Sequence, residues 1–383
     1  MYDMLIRGGR VVDPSQGLDH DKDVAITDGQ VVVIAESISP NEAREVIDAR
    51  GMIVTPGLID IHVHVYEGVS HYGIHADRNC LHRGVTTAVD AGSSGAVTFP
   101  GLRKYIIEVS ETRLLAYLNL SKIGMITECP PGELEEIRYA DKHEALQTLE
   151  ANRDVLLGIK VRMEQDMVGN NSYEVLKRAR EVSDAAGLPL MVHIGNTVPS
   201  LQEVLAELRA DDVITHCFHD KLGGVLDDNG VVLPEVRAVA EKGVYFDVGH
   251  GRGSFSFQIA RKALDQDLQP STISSDLHTH NVCGPVFDLA TTMSKFLYLG
   301  LSLPKVIEMT TAAPARSIRM DDHIGTLRCG ACADVTLLKL REGPIKLTDA
   351  SKTTERETVT ADRMLVPAGV VRGGKLIFMN DCE

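Results

Sequence analysis

Between residue 56 and about residue 320, short runs of Val, Ile and Leu alternate with longer segments in which apolar positions recur at helical spacing. Runs apolar on both faces, separated by amphipathic helices, are the pattern of a parallel sheet covered by helices. Strands are predicted at 58–65, 85–90, 114–120, 156–161, 190–194, 213–216, 244–248 and 272–275. Helices are predicted at 142–153, 172–187, 200–209, 234–242, 255–267 and 285–300. In 172–187 the positions Val175, Leu176, Ala179, Val182 and Ala186 keep the 3.6-residue period. Ser302-Leu303-Pro304 opens a further helix, with serine as N-cap and proline in the first turn. Eight strands over ~265 residues match the size of a closed (β/α)8 TIM barrel, an α/β architecture. The rival open, doubly wound sheet lacks its signature, since no Gly-x-Gly-x-x-Gly follows the first strand.

The two ends read differently. Met4–Ile6, Val11-Val12, Val24–Ile26, Val31–Ile34 and Ile53-Val54 are short β-type runs, and Asp28-Gly29 marks a tight hairpin. Strand texture returns after about residue 323, in Val335-Thr336-Leu337-Leu338, Val359, Val366 and Val370-Val371. Residues 1–55, read as an antiparallel sheet, are therefore expected to join 323–383 in one small β-sandwich-like domain beside a barrel of 56–322.

Composition narrows the partners. The chain has 383 residues, is 44% hydrophobic and 24% charged, and carries a formal net charge of -15. That acidity argues against nucleic-acid and anionic-membrane partners, and an anionic small-molecule substrate would need a local cationic site. No run approaches the ~20 apolar residues of a membrane span. Met1-Tyr2-Asp3-Met4 does not resemble the basic start of a secretory signal. Seven scattered cysteines, including the Cys329-x-x-Cys332 pair read as inert thiols, suit a reducing cytoplasmic setting. A homo-oligomer is compatible with all of this.

The chemistry gathers at strand ends. His62 and His64 stand two apart on the first predicted strand, so both imidazoles face one side and form half of a divalent-metal site. Lys160 ends the fourth strand, His193 the fifth, His216 the sixth and Asp276 the eighth. In a barrel those are the ends where reacting groups sit. Lys160 lies in the apolar run Leu156–Val161, where desolvation would make its amine neutral and able to capture carbon dioxide as a carbamate.

The combined pattern resembles the amidohydrolase superfamily of metal-dependent hydrolases. Pro56-Gly57-Leu58-Ile59-Asp60-Ile61-His62-Val63-His64 matches its first motif, and Lys160, His193, His216 and Asp276 match the later positions. Ile324-Gly325-Thr326-Leu327 through Ala333-Asp334 resembles the family's return into a small β-domain. The resemblance implies that His62, His64 and Asp276 hold one metal and His193 and His216 a second. Carbamylated Lys160 and a hydroxide would lie between them. The ions expected are two divalent metals, Zn2+ foremost, with carbon dioxide or bicarbonate needed for the carbamate.

Within the superfamily, Phe246–Gly251, Ser254–Phe257, Ser275–His278 and Asp288–Lys295 resemble a deacetylase branch often labelled dihydroorotase or adenine deaminase. Dihydroorotases keep an arginine two residues after the second histidine; here that residue is Tyr66. The reaction implied is hydroxide attack on an acyl ester or amide of a small carboxylic acid, with Asp276 as the proton carrier. For the substrate carboxylate, Arg162, Arg252 and an anion nest at Gly92-Ser93-Ser94-Gly95 are candidates, with His278 and His280 lining the pocket. Asp90 and His250 are expected to support from behind. The alternatives are a cyclic amidase or adenine-type deaminase using the same site, and a barrel kept as a non-catalytic assembly protein.

Overall fold

The first five strands follow the β-type runs of the amino-terminal segment: β1 (Tyr2–Asp13), β2 (Leu18–Thr27), β3 (Gln30–Ala35), β4 (Ala43–Asp48) and β5 (Ile53–Pro56). The β2–β3 hairpin turns on Asp28 and Gly29, both at positive φ (51° and 72°), as a two-residue primed turn requires. A computed structural model describes residues 1–126 and 131–379 of the chain.

Seven parallel strands come next: β6 (Leu58–Val63), β7 (Val85–Gly95), β8 (Arg113–Asn119), β9 (Leu156–Arg162), β10 (Leu190–His193), β11 (Val213–Thr215) and β12 (Tyr245–Asp247). They lie side by side in chain order. Every residue of β6 and β7 is buried, which is why both runs carry apolar residues on alternate and intervening positions alike. The helices Lys142–Ala151, Ser172–Ala186, Leu201–Ala206, Pro234–Glu241, Phe257–Leu264 and Leu289–Tyr298 each fall inside a predicted span. Ser302 caps Leu303–Glu308 as expected, its hydroxyl accepting from the Lys305 N–H.

The eighth predicted strand, 272–275, forms no ladder. It meets its neighbours through isolated parallel bridges, Asp247 with Thr272 and Val63 with Leu277, which link the two edges of the curled sheet. Its backbone still bonds along the β12 edge: Thr272 N–H donates to the Phe246 carbonyl at 3.3 Å, and the Thr272 and Ser274 carbonyls accept from Val248 N–H (3.1 Å) and His250 N–H (3.2 Å). Thr272 and Ser274 donate to Asp247, Ser275 donates to Asp60, and Asp276 adopts φ 48°, which ends extended backbone.

Three carboxy-terminal strands, β13 (Val335–Thr348), β14 (Thr358–Arg372) and β15 (Lys375–Met379), return to the first five. β13 pairs antiparallel with β5, giving one eight-stranded sheet of order β15-β14-β13-β5-β1-β2-β3 with β4 on β1. Because β4 and β5 run parallel to β1, the sheet is mixed rather than antiparallel. The two ends of the chain are thus joined in one hydrogen-bonded sheet. Cys329 and Cys332 are both free thiols, and among the described residues no helix is long and apolar enough to cross a membrane.

Candidate metal centre

Parallel pairing sets Lys160 beside Asn119 on one side and Met191 on the other. One step further along, Arg162, His193, Thr215 and Asp247 form a row across the carboxyl ends of β9 to β12. The strand ends bring all six predicted donors together. Ring centroids are 5.5 Å apart for His62 and His64, 5.0 Å for His62 and His216, and 4.3 Å for His193 and His216. Asp276 Oδ1 lies 3.4 Å from His62 Nε2 and 3.1 Å from His64 Nε2. One set of donor atoms, all within 4.8 Å of one another, comes from His62, His216 and Asp276. It therefore takes members from both of the ion sites that the resemblance implies.

Hydrogen bonds behind the rings fix which nitrogen faces inward. The Thr215 hydroxyl donates to Asp247 Oδ2 at 2.8 Å, so it accepts from His62 Nδ1–H at 2.7 Å. His216 Nδ1–H donates to the Gly249 carbonyl at 2.6 Å, and His64 Nδ1 pairs with Ser93 Oγ at 2.9 Å. The His62 and His216 bonds leave an Nε2 lone pair for a cation, and the Ser93 contact turns the Nε2 edge of His64 the same way. Burial disfavours the charged imidazole: His62, His193 and His216 are pushed well below the usual histidine range, and His64 to about 3. All four are neutral bases at neutral pH. His216 and Asp276 hold positive φ (74° and 48°), strained backbone of the kind kept where side-chain aim matters.

Lys160 is buried to 1% exposure and its Nζ has no hydrogen-bond partner. Burial pushes the amine down to about 8, with Asp276 and Asp247 acting in the opposite direction. An unmet buried donor costs about 1–3 kcal/mol and calls for an acceptor. The neutral imidazoles and the Asp276 carboxylate are donors that suit a divalent cation.

A cavity of about 480 Å³ opens above the donors. Arg162, Arg252, His278 and His280 line it; Ser93 and Ser94 do not. In the stretch 92–95, Ser93 N–H is already spent on Asp90 Oδ1 (2.7 Å) and Gly95 N–H on Thr98 Oγ1 (3.1 Å), so two of the four amides of the expected anion nest are taken. Ser93 instead sits behind His64. Arg162 is buried in a two-pronged pair with Glu133, Nε to Oε1 at 2.9 Å and Nη2 to Oε2 at 2.6 Å. His278 is buried within 6.3 Å of the His64 ring, and burial lowers it to about 4. Asp90 also accepts from Val65 N–H, tying the ends of β6 and β7. His250 faces Lys295 Nζ at 2.7 Å, outside the cavity lining.

Several lining residues escaped sequence reasoning: Tyr72, Glu164, Lys221, Lys352 and Arg356. Glu164 accepts from Lys221 Nζ at 2.8 Å and lies 3.1 Å from His193 Nε2. Its place just past the apolar run of β9 was a usable signal. Tyr72, Lys352 and Arg356 lie in connections with no periodic pattern.

A model of the amidohydrolase family matches residues 53–377. A Brucella anthropi protein named deacetylase is 35% identical over 350 residues, 91% of this chain and 86% of that protein. A solved structure of an adenine deaminase superposes with TM-score 0.91 at 33% identity, covering 99% of this chain and 100% of that one. A dihydroorotase structure gives TM-score 0.89 at 32% identity, covering 99% and 98% respectively. Neighbours of this kind carry the TIM-barrel fold, in keeping with the curled parallel sheet, and the match over most of the length makes the chain a hydrolase. This chain belongs to the amidohydrolase family.

Proposed function

We propose that the chain is a binuclear hydrolase that uses two divalent ions, Zn2+ foremost, to cleave an acyl ester or amide of a small carboxylic acid. The substrate class is an N-acyl amino acid or an O-acetyl α-hydroxy acid. One observation carries the reading: a buried, partnerless amine at Lys160 amid four neutral imidazoles and Asp276. His62, His64 and Asp276 would hold one ion, His193 and His216 the other, and Lys160, carbamylated, would bridge them. Ions held there supply Lewis-acid polarisation of the scissile carbonyl and a nucleophilic hydroxide at neutral pH.

The protein's own groups do the remainder. Thr215 and the Gly249 carbonyl hold two rings in the tautomer that keeps Nε2 free, and Ser93 holds the His64 ring from its Nδ1 side. Asp276, raised to about 6 by burial, accepts a proton from the nucleophile and returns it to the leaving group. His278, neutral and next to His64, offers a hydrogen bond to the bound acyl compound.

The name of the Brucella anthropi relative supports deacylation. So does Tyr66: where dihydroorotases keep an arginine, its hydroxyl donates to the Thr98 carbonyl at 2.9 Å and presents no cation. The test is a panel of N-acyl amino acids, acyloxy acids, adenine and dihydroorotate, run on protein loaded with zinc and bicarbonate. Turnover of acyl compounds with about two metal equivalents per chain is expected; turnover of a cyclic substrate or of adenine alone would overturn the reading.

A further inference from the structure

The cations of the cavity fall into two groups. Arg162 is matched by buried Glu133, and Lys221 by Glu164, so both charges are already spent. Arg252, Lys352 and Arg356 line the same cavity, and among the described residues none is paired with a carboxylate. In a chain of net charge -15, three unmatched cations around one opening attract a small anion against the overall field.

Two of the three come from the far sheet. The connection between β13 and β14, residues 349–357, leaves that sheet and lies on the barrel mouth. Asp220 fastens it there, accepting from the N–H groups of Lys352 (2.8 Å), Thr353 (3.0 Å) and Thr354 (3.0 Å). Asp349 accepts from Phe257 N–H at 3.1 Å and Glu357 N–H at 3.0 Å, while Ala350 N–H donates to the Phe255 carbonyl at 2.8 Å. Arg356 Nη2 donates to the Arg252 carbonyl at 3.0 Å. The stem of Lys352 runs along the bare face of Gly253, where a Cβ would come within 3.3 Å of Lys352 Cδ. The backbone that carries both side chains is thus set in place before any ligand arrives, and Arg356 is held further by its bond to the Arg252 carbonyl, which lowers the ordering cost of binding.

The geometry points to a specificity rim: Lys352 and Arg356, with Arg252, bind the substrate carboxylate and direct the acyl group down to His62, His64 and Lys160. This rests on the proposed acyl-carboxylate hydrolase and names the residues that read its substrate. Asp220 is a positioning residue, acting through the connection it fastens.

The experiment pairs each N-acetyl amino acid and acetyloxy acid with its own carboxamide, and measures KM for both in the zinc-loaded protein. Wild type should prefer the carboxylate, and Lys352→Met with Arg356→Met should shrink that preference by about 1.4- to fivefold for each exposed cation removed. Asp220→Ala should shrink it as well, although losing a negative charge near the rim would by itself favour anions. A preference unchanged in the double variant overturns the rim. Should wild type hydrolyse none of the acyl compounds, the proposed function falls on its own. The rim is then judged by calorimetric titration with the same carboxylates and carboxamides. Weaker carboxylate binding in the double variant supports it, and equal binding overturns it.

Discussion

Gly92 leaves the space that Lys160 fills. A Cβ built on Gly92 would stand 2.7 Å from both Cβ and Cγ of Lys160, and Gly92 also holds φ 91°, which side-chain-bearing residues rarely adopt. Gly92→Ala must therefore shift the lysine or its strand. The expected cost is about 1–3 kcal/mol of stability from overpacking. Metal content and turnover should fall together, because the displaced amine no longer meets the imidazoles. Metal analysis beside a thermal melt checks this; full metal content and full activity in a folded variant would contradict the contact.

Lys160 itself gives a pH-dependent test. Its amine is pushed down to about 8 by burial. Capture of carbon dioxide needs the neutral amine, which is scarce below that pH and dominant above it. Protein stripped of metal and carbon dioxide should regain activity faster as pH rises through about 8, at fixed dissolved carbon dioxide, and then level off. Lys160→Ala should neither hold metal nor turn over substrate, with partial rescue by short carboxylic acids that replace the carbamate. Wild-type activity in that variant would remove the bridging role.

How much of this the sequence discloses depends on whether a residue lies on a strand. His62, Lys160, His193 and His216 end runs whose apolar texture fixes their place, and parallel pairing then aligns those ends without further information. The segment 272–275 lies where the sequence put it, bonded to 246–250, but only as single bridges, while its hydroxyls serve Asp247 and Asp60. Ser93 is the residue that misled. A glycine-serine stretch signals an anion nest, yet only tertiary structure shows that two of its amides are spent and the Ser93 hydroxyl reaches His64. Lys352 and Arg356 were illegible, since nothing in the β13–β14 connection announces that it crosses to another sheet's opening.

The two serines separate the readings directly. Ser93 Oγ meets His64 Nδ1 at 2.9 Å, while Ser94 Oγ is buried with no hydrogen-bond partner. Ser93→Ala should weaken metal affinity about 10- to 100-fold, the usual result of losing the group behind a ligating histidine. Ser94→Ala should leave affinity near wild type. Equal losses of metal affinity in both variants would remove the supporting role from Ser93.

Asp276 carries the last prediction. Burial raises its carboxyl to about 6, while His62, His64, His193 and His216 are all driven the other way and stay neutral. A protonated Asp276 cannot accept a proton, so kcat should decline on the acid side as this carboxylate takes up its proton, and none of the four ligand imidazoles titrates with it. Asp276→Asn should lower kcat by about 10²–10⁴, the usual contribution of a positioned proton carrier, and should erase that acid limb. The amide has the shape of the carboxylate, so the fold should survive, which circular dichroism and a melt can check. A variant that stays fast, or a slow one that keeps the same acid limb, would assign the proton transfer to another group.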